Sequence, residues 1–246
     1  MAAENCMVAN DWICGEYLRV YRQELTDATV QHIWITAASV AIGFAVAFPL
    51  ALIARRWRLL AGPVLAITTV LYTVPSLAMF SLLLPIYGIS PSLVITGLVL
   101  YSLTILVRNI LAGLQGVPED VREAALAMGY GPLRQLFTVE LPLALPAVMA
   151  GLRIATVSTV ALTTVGAIID YGGLGNLLKS GIDSNFKAQV LAASVLCVVI
   201  AIVADVLLLG VQWLITPWTH SGRRRRKGGS GSDALGPAET VEKVAA

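Results

Sequence analysis

The sequence predicts an all-α polytopic membrane protein with about five transmembrane helices. Hydrophobic residues make up 57% of its 246 residues and charged residues only 13%, whereas soluble domains carry about a quarter charged residues. Between Arg58 and Arg108 the chain has no acidic or basic side chain. Because one helical crossing needs about 20 apolar residues, this stretch alone is long enough for two of them. The apolar runs are also far longer than the strands of a membrane barrel, which favours helices.

Five apolar runs are the predicted spans. Their expected bounds are residues 33–54, 59–84, 92–107, 141–169 and 188–215. A Pro-containing turn at 85–91 separates the second and third spans, a polar segment at 117–140 separates the third and fourth, and a Gly-rich loop at 170–187 precedes the fifth. Helix kinks are expected at the prolines within or near spans, Pro49, Pro63 and Pro75.

The distribution of basic residues predicts the orientation of the chain. One side of the predicted spans carries the larger group: Arg55, Arg56, Arg58, Arg108, Arg122, Arg134, residues 223–226 and Lys227. The other side carries the smaller group: Arg19, Arg22, Lys179 and Lys187. Since cytoplasmic loops are enriched in Lys and Arg, the first side is predicted to be cytoplasmic. The N-terminus is then outside and the C-terminus inside, in agreement with an odd number of spans.

Three regions follow from this topology. Residues 1–30 are predicted to be an extracytoplasmic segment, 31–217 the transmembrane domain, and 218–246 a basic and then disordered cytoplasmic tail. The basic group of the tail is expected to contact anionic lipid headgroups. Cys6 and Cys14 lie in the N-terminal segment, where a disulfide and two free thiols remain alternatives.

The polar segment 117–140 contains a predicted short amphipathic helix. Its start has proline in the first turn and acids at the positive end of the helix dipole: Pro118, Glu119 and Asp120. Apolar residues then recur at helical spacing and predict one apolar face: Val121, Ala124, Ala125 and Met128. Gly129 and the Gly131-Pro132 pair are expected to end the helix.

This helix and the start of the fourth span share a fixed pattern of residues: Glu123, Ala124, Ala125, Gly129, Val139, Leu141 and Pro142. The pattern resembles the cytoplasmic signature of ABC importer permeases, which is Glu-Ala-Ala, three residues, Gly, nine residues, Ile, any residue and Leu-Pro. Only Val139 departs from it. In that family the short helix docks into a cleft on a separate ATPase subunit. The resemblance therefore implies that residues 118–131 form a coupling helix; the alternative is an ordinary interfacial helix.

The resemblance covers residues 25–217 and extends to a branch of the family. Three stretches are similar to the osmoprotectant branch: Tyr-Thr-Val-Pro-Ser-Leu-Ala-Met-Phe at 72–80, Leu-Pro-Leu-Ala-Leu-Pro-Ala at 141–147 and Tyr-Gly-Gly-Leu-Gly-Asn at 171–176. Its members import glycine betaine, carnitine, choline or proline-type solutes. The methionine branch also carries a Gly-Gly-Leu-Gly loop, so a methionine permease is the alternative, although the first stretch favours the osmoprotectant branch.

The sequence predicts that this chain is not an enzyme. It has no Gly-x-x-x-x-Gly-Lys-[Ser/Thr] motif and therefore lacks the usual phosphate-binding loop for ATP. Neither a cofactor nor a metal is expected on the chain, and ATP use is expected on a partner. The resemblance implies an ABC ATPase subunit, a second permease subunit (the same chain or a paralogue), an extracytoplasmic solute-binding protein and membrane lipid, but no nucleic acid. A non-transporting scaffold and a passive channel are the alternatives from other classes.

Two charged side chains within predicted spans need partners. Asp205 in the fifth span and Arg153 in the fourth both fall toward the predicted cytoplasmic half, and an unpaired charge in lipid is costly. We expect Asp205 to pair with Arg153, or else with Arg108, as a buried structural clamp. The alternative is a charge that lines the transport pathway.

Three aromatic residues are candidates for the substrate pathway. Tyr72, Phe80 and Tyr101 lie in the second and third predicted spans. Their rings could hold a quaternary ammonium group by cation–π contact. The alternative is that they pack helices together.

Overall fold

The apolar runs of the chain form helices, which satisfy within each segment the backbone hydrogen bonds that lipid cannot provide. The computed structural model of the protein describes residues 6–219, and this part contains helices and no strand. The predicted basic group at 223–227 and nearly all of the predicted tail lie outside the described residues. The α-helices are α1 Gly15–Val20, α2 Arg22–Arg56, α3 Arg58–Thr73, α4 Ser76–Tyr87, α5 Pro91–Gln115, α6 Glu119–Ala127, α7 Pro132–Gln135, α8 Leu141–Thr163, α9 Leu174–Asp183 and α10 Lys187–Ile215.

Four continuous helical stretches of the described chain are long and apolar enough to cross a membrane. They are Arg22–Arg56, Pro91–Gln115, Pro132–Ile169 and Lys187–Ile215. In the third of these, a π-helical turn, Leu136–Glu140, joins α7 to α8, and a 3-10 helix, Thr164–Ile169, follows α8. The bent pair α3 and α4 provides a fifth crossing if it is one span. The prediction of an all-α polytopic protein with about five spans is confirmed.

The second predicted span, residues 59–84, is not one straight helix. The axes of α3 and α4 differ by 99°. Pro75 is the residue before α4, and its missing N–H and fixed φ end a helix more readily than they extend one. The predicted turn at 85–91 is shifted as well, because Pro85 lies inside α4 and the chain turns at Gly88, where φ is +60°. A kink was predicted at Pro75, but the bend there is sharper than a kink, and the turn between the second and third spans begins a few residues later than predicted.

Hydroxyl groups of the central helix α5 satisfy backbone groups near the bend. The Tyr101 hydroxyl donates a hydrogen bond to the carbonyl of Val74, which lies between α3 and α4. The Thr104 hydroxyl donates to the carbonyl of Thr68 in α3. The break between the helices leaves the Val74 carbonyl without an intrahelical donor, which Tyr101 supplies, and the bond to Thr68 attaches α3 to α5.

Close approach of small residues holds the bundle together around α5, which packs against α2, α3, α4 and α8. A Cβ atom added to Gly43 of α2 would lie 2.2 Å from the Ser102 Oγ, and one added to Gly151 of α8 would lie 2.3 Å from the Asn109 Cβ. These distances are too short for any larger side chain, so both contacts require glycine. Small residues at such crossings are typical of helix packing in membranes. By contrast, very few residues of α10 are fully buried.

The N-terminal residues fold into a small cap (residues 6–20) over one end of the bundle. Cys6 and Cys14 are joined by a disulfide, with their Cα atoms 5.6 Å apart. The structure thus contains the bonded form of the two alternatives that the sequence leaves open. The Asn10 side chain donates to the Asn185 carbonyl at 2.8 Å and accepts from the Lys187 N–H at 3.0 Å. These bonds attach the cap to the turn between α9 and α10.

Aromatic contacts support the same attachment. The rings of Tyr17 and Phe186 meet edge to face, with centroids 5.2 Å apart, and Tyr21 stacks on Tyr17 at 4.9 Å. Burial, with the nearby Glu24 carboxylate, raises the pKa of Tyr17 to about 12. The phenol is therefore neutral at physiological pH and packs as an uncharged group.

The Gly-rich loop lies at the same end of the bundle, against the first turns of α2. His32 is fully buried there, with its Nε2 3.1 Å from the Val160 carbonyl. Gly173 has a φ of +56°, and a Cβ atom on it would lie 2.7 Å from the His32 Cα. Both the backbone conformation and the lack of space thus require glycine at this position.

We expect Gly173→Ala to lower the thermal unfolding midpoint of the detergent-solubilised protein by roughly 3–8 °C. A left-handed conformation costs an alanine about 1–2 kcal/mol, and the contact with His32 adds to this. Tryptophan fluorescence during heating measures the midpoint. Gly210→Ala is the matched control, because nothing lies within 4 Å of the Cβ that it adds. Equal midpoints for the two variants would contradict the prediction.

Candidate functional site

The predicted short helix is present as α6, at the end of the bundle opposite the N-terminal cap. Pro118 precedes it, and Glu119 and Asp120 occupy its first turn, where acids favour the positive end of the helix dipole. Glu123 and Ala124 are exposed, whereas Ala125 is 1% exposed. The helix therefore leaves the first part of the Glu-Ala-Ala pattern exposed and buries its second alanine.

Gly129 ends this region in a defined hydrogen-bonded motif. Its φ is +79°, the left-handed conformation that glycine adopts without strain. The Gly129 N–H donates to the Leu126 carbonyl at 2.9 Å, and the Tyr130 N–H donates to the Ala125 carbonyl at 3.1 Å. This pair of bonds is a Schellman motif, which satisfies carbonyls at the helix end. Glycine thus sets the path by which the chain leaves α6.

Much of the apolar surface of this region is exposed. Of the residues predicted to share one apolar face of α6, Ala124 and Met128 are exposed and Ala125 is buried. The reason is that a helix this short buries only a narrow strip, here Ala125 and the half-buried Val121. The outward apolar surface extends into α7 and the π-helical turn, where sequence reasoning had assigned no role; its large members are Leu126, Met128, Leu133 and Phe137. We call these four residues the exposed apolar group.

Leu141 and Pro142 begin α8 and are half-buried. Just before them, Glu140 is 2% exposed and lies among polar groups from three other parts of the chain. Arg55, in the last turn of α2, forms an ion pair with it, and Gln135 donates a hydrogen bond to its Oε1 at 3.0 Å. The Arg122 Nε lies 3.7 Å from the same oxygen. Glu140 occupies the unspecified position of the signature, so the sequence pattern gave no reason to select it.

The intramembrane charges pair across α8 and α10. Arg153 donates two hydrogen bonds to Asp205, from Nε to Oδ1 and from Nη2 to Oδ2, each 2.8 Å long. Arg108, the alternative partner, instead donates to the Thr69 hydroxyl at 2.8 Å. The pair is not buried within this chain, because 27% of the Arg153 side chain and 34% of the Asp205 side chain are exposed. The expectation of a buried pair is wrong for the single chain, since α10 packs against α8 through only one of its faces.

The three candidate pathway aromatics do not form one cage. Tyr72 and Tyr101 meet edge to face with ring centroids 6.0 Å apart. Tyr72 remains half-exposed, whereas Tyr101 is buried and its hydroxyl is already bonded to Val74. Phe80 is buried in a separate cluster around Ile35 and Leu98. The described residues contain no cluster of His, Cys, Asp and Glu that could hold a metal ion.

The sequence profile of a known family, the inner membrane component of binding-protein-dependent transport systems, matches residues 34–221. The chain belongs to this family. Members of the family are multi-pass proteins of the plasma membrane, and this chain is one of them, as its apolar helices require. The short helix α6 with its flanking signature lies within the matched region.

Three curated relatives of this chain are permease proteins. The osmoprotectant import permease protein OsmW of Salmonella typhimurium is 36% identical over 78% of this chain and 92% of its own length. The choline transport system permease protein OpuBB of Bacillus subtilis is 32% identical over 86% and 96%. The glycine betaine/carnitine/choline transport system permease protein OpuCD of the same organism is 34% identical over 76% and 82%. These relatives are transport subunits and not enzymes.

A solved structure has a fold similar to that of this chain. A chain of the MetNI methionine ABC transporter, in an inward-facing conformation, superimposes with a TM-score of 0.71 over 80% of this chain and 98% of the other. The two are 20% identical, so the likeness concerns the fold alone.

Proposed function

We propose that the chain is the transmembrane permease subunit of an ATP-driven importer for a small compatible solute of the glycine betaine, choline, carnitine or proline type. The observation that carries the proposal is the position of α6. This short helix projects from one end of a membrane bundle with Glu123 and Ala124 exposed and its exit fixed by Gly129. The named roles of the relatives support the solute class.

In this proposal α6 is the coupling helix and docks on an ABC ATPase subunit. The small exposed side chain of Ala124 lets a partner surface approach the helix closely, and the exposed apolar group offers large side chains for burial. Exposed apolar groups of this kind, grouped at one end of a protein, mark interaction surfaces. ATP is bound and hydrolysed by the partner, and this chain contributes no cofactor.

The proposed orientation places the N-terminal cap outside and α6 inside the cell. The Cys6–Cys14 disulfide supports it, because disulfides persist in oxidising compartments and are rare in the cytosol. A solute-binding protein would then deliver the solute at the cap end of the bundle. Residues 1–30 and 31–217 keep their proposed roles as external segment and transmembrane domain.

A second permease subunit, the same chain or a paralogue, completes the proposed pathway. Five helices of this length enclose little space alone. The half-exposed Arg153–Asp205 pair and the exposed surface of α10 support a neighbour, since an ion pair facing lipid is unfavourable. Within one subunit the pair acts as a clamp between α8 and α10.

Uptake by the reconstituted complex tests the proposal. The chain is placed in lipid vesicles with an ABC ATPase subunit and a solute-binding protein from the same organism. Labelled betaine, choline, carnitine, proline and methionine are supplied with and without ATP. We expect ATP-dependent accumulation of at least one of the first four solutes. Flux without ATP would indicate a passive channel, no flux a scaffold, and accumulation of methionine alone the other branch of the family; each would overturn the proposal.

A further inference from the structure

One carboxylate joins several helices at the α6 end of the bundle, and it is almost completely buried. Glu140 is 2% exposed. A buried carboxylate is unfavourable unless cationic and hydrogen-bonding groups surround it. Arg55 and Gln135 contact it directly, and the Arg122 guanidinium lies beside it. The charge is therefore compensated by groups from α2, α6 and α7, and none of these contacts is local to α8.

Arg122 reaches two neighbours at once. It is a residue of α6, and besides facing Glu140 its Nη2 donates to the Leu114 carbonyl at 2.5 Å. Leu114 lies in the last turns of α5, the central helix of the bundle. One side chain of the short helix thus contacts both the end of α5 and the residue that precedes α8.

Apolar packing between α6 and the bundle is slight by comparison. Ala125 is the buried residue of α6, and its small side chain provides little contact area. The main neighbours of the helix are α7 and the π-helical turn that contains Glu140. Because a π turn is a local irregularity of a helix, often found at functional sites, this region is a natural point of adjustment between α7 and α8.

We propose that Glu140 is a positioning residue for coupling: with Arg55 and Arg122 it makes α6 move together with the membrane ends of α2, α5 and α8. This inference rests on the proposed function, in which α6 receives the motion of the ATPase. Arg122 holds α6 by a hydrogen bond to the Leu114 carbonyl and by an ion pair with Glu140 at 3.7 Å. These two contacts reach separate elements, so they constrain the orientation of α6 more than the contact of one alanine does. Without these contacts, α6 still docks on the ATPase, but its motion is no longer transmitted to α2, α5 and α8.

Glu140→Gln tests the proposal, because it keeps the size of the side chain and removes its charge. In the reconstituted complex we expect the ATP hydrolysed per solute imported to rise by about 10-fold, as befits the loss of a charge-assisted contact. Glu24→Gln is the matched control, since Glu24 is an exposed residue of α2 at the opposite end of the bundle. We expect its ratio to equal that of the unaltered protein.

Variants of Arg122 separate coupling from simple stability. Arg122→Gln removes the contact while Arg55 still compensates Glu140, and it is expected to raise the same ratio; Arg122→Lys, which keeps a cation, is expected to restore much of it. The double variant Glu140→Gln with Arg122→Gln should raise the ratio by less than the product of the two single effects, because the two side chains share one of their contacts. A merely structural role would change the amount of complex and leave the ratio unaltered.

The outcomes distinguish this inference from the proposed function. If the unaltered complex imports no solute, the proposed function fails. If it imports solute and both Glu140→Gln and Arg122→Gln keep the normal ratio, the positioning role is wrong while the function stands. If Glu140→Gln prevents assembly, the test is made with Arg122→Gln and Arg122→Lys, because Arg122 is partly exposed. A normal ratio of ATP hydrolysed to solute imported in Arg122→Gln would then contradict the positioning role.

Discussion

Gly129→Val is expected to abolish solute uptake while the protein still inserts and assembles. Valine is β-branched and strongly disfavours the φ of +79° that Gly129 adopts, so the Schellman end of α6 cannot form. Nothing lies within 4 Å of the added Cβ, so steric collision with the bundle is not the cause. The expected loss of uptake is at least about 10-fold, because the strain alone amounts to roughly 1–3 kcal/mol.

Uptake and ATP hydrolysis are measured in parallel on the same vesicles. Gly210→Val is the control, because Gly210 also has open space around its Cβ but a helical backbone within α10. Glu123→Lys probes the docking face directly, since Glu123 is exposed and its charge is reversed without strain. Normal coupled uptake in both Gly129→Val and Glu123→Lys would remove α6 from the proposed mechanism.

Asp205→Asn is expected to remove most of the folded protein from the membrane. Its two hydrogen bonds from Arg153, each 2.8 Å, link α8 to α10. The substitution leaves an arginine without its counter-ion in an apolar layer, which is more harmful than removing both charges. Size-exclusion chromatography of the solubilised complex measures the folded fraction.

The double variant Asp205→Asn with Arg153→Gln supplies the control. Because it removes both charges, we expect it to recover much of the folded protein that the single variant loses. If Asp205→Asn instead folds and assembles normally but imports no solute, the pair lines the pathway and the clamp is wrong. Arg108→Gln should not reproduce the effect of Asp205→Asn on the folded fraction or on uptake, since Arg108 donates a hydrogen bond to Thr69 and does not contact Asp205.

The sequence predicted the spans and α6 because both depend on local properties of the chain. Long apolar runs specify membrane helices, and Pro118 and Gly129 mark the limits of a short helix by their own backbone preferences. The pairing of Arg153 with Asp205 was also expected, since both lie at similar depths by the rise of a helix. The sharp bend at Pro75 was not, because a proline near a span usually produces only a kink.

Glu140 shows why the remainder of the site could not be predicted. Its partner Arg55 is distant in sequence and belongs to another helix, and no spacing rule connects the two. In sequence Glu140 is one acid before an apolar run, and its burial becomes evident only once α2, α6 and α8 converge. The exposure of Met128 depends in the same way on which strip of α6 the rest of the bundle covers.

The central helix α5 has a mechanical consequence that follows from two contacts, one near its C-terminal end and one near its middle. Near the C-terminal end of α5, the Leu114 carbonyl accepts a hydrogen bond from Arg122. About 20 Å away along the helix axis, the Tyr101 hydroxyl donates to the Val74 carbonyl at the corner between α3 and α4. An intact α-helix is stiff over this length, so a push on α6 is expected to arrive at the corner as a displacement of nearly the same size. Helix α5 would then transmit force from a contact at the protein surface to a bend inside the membrane.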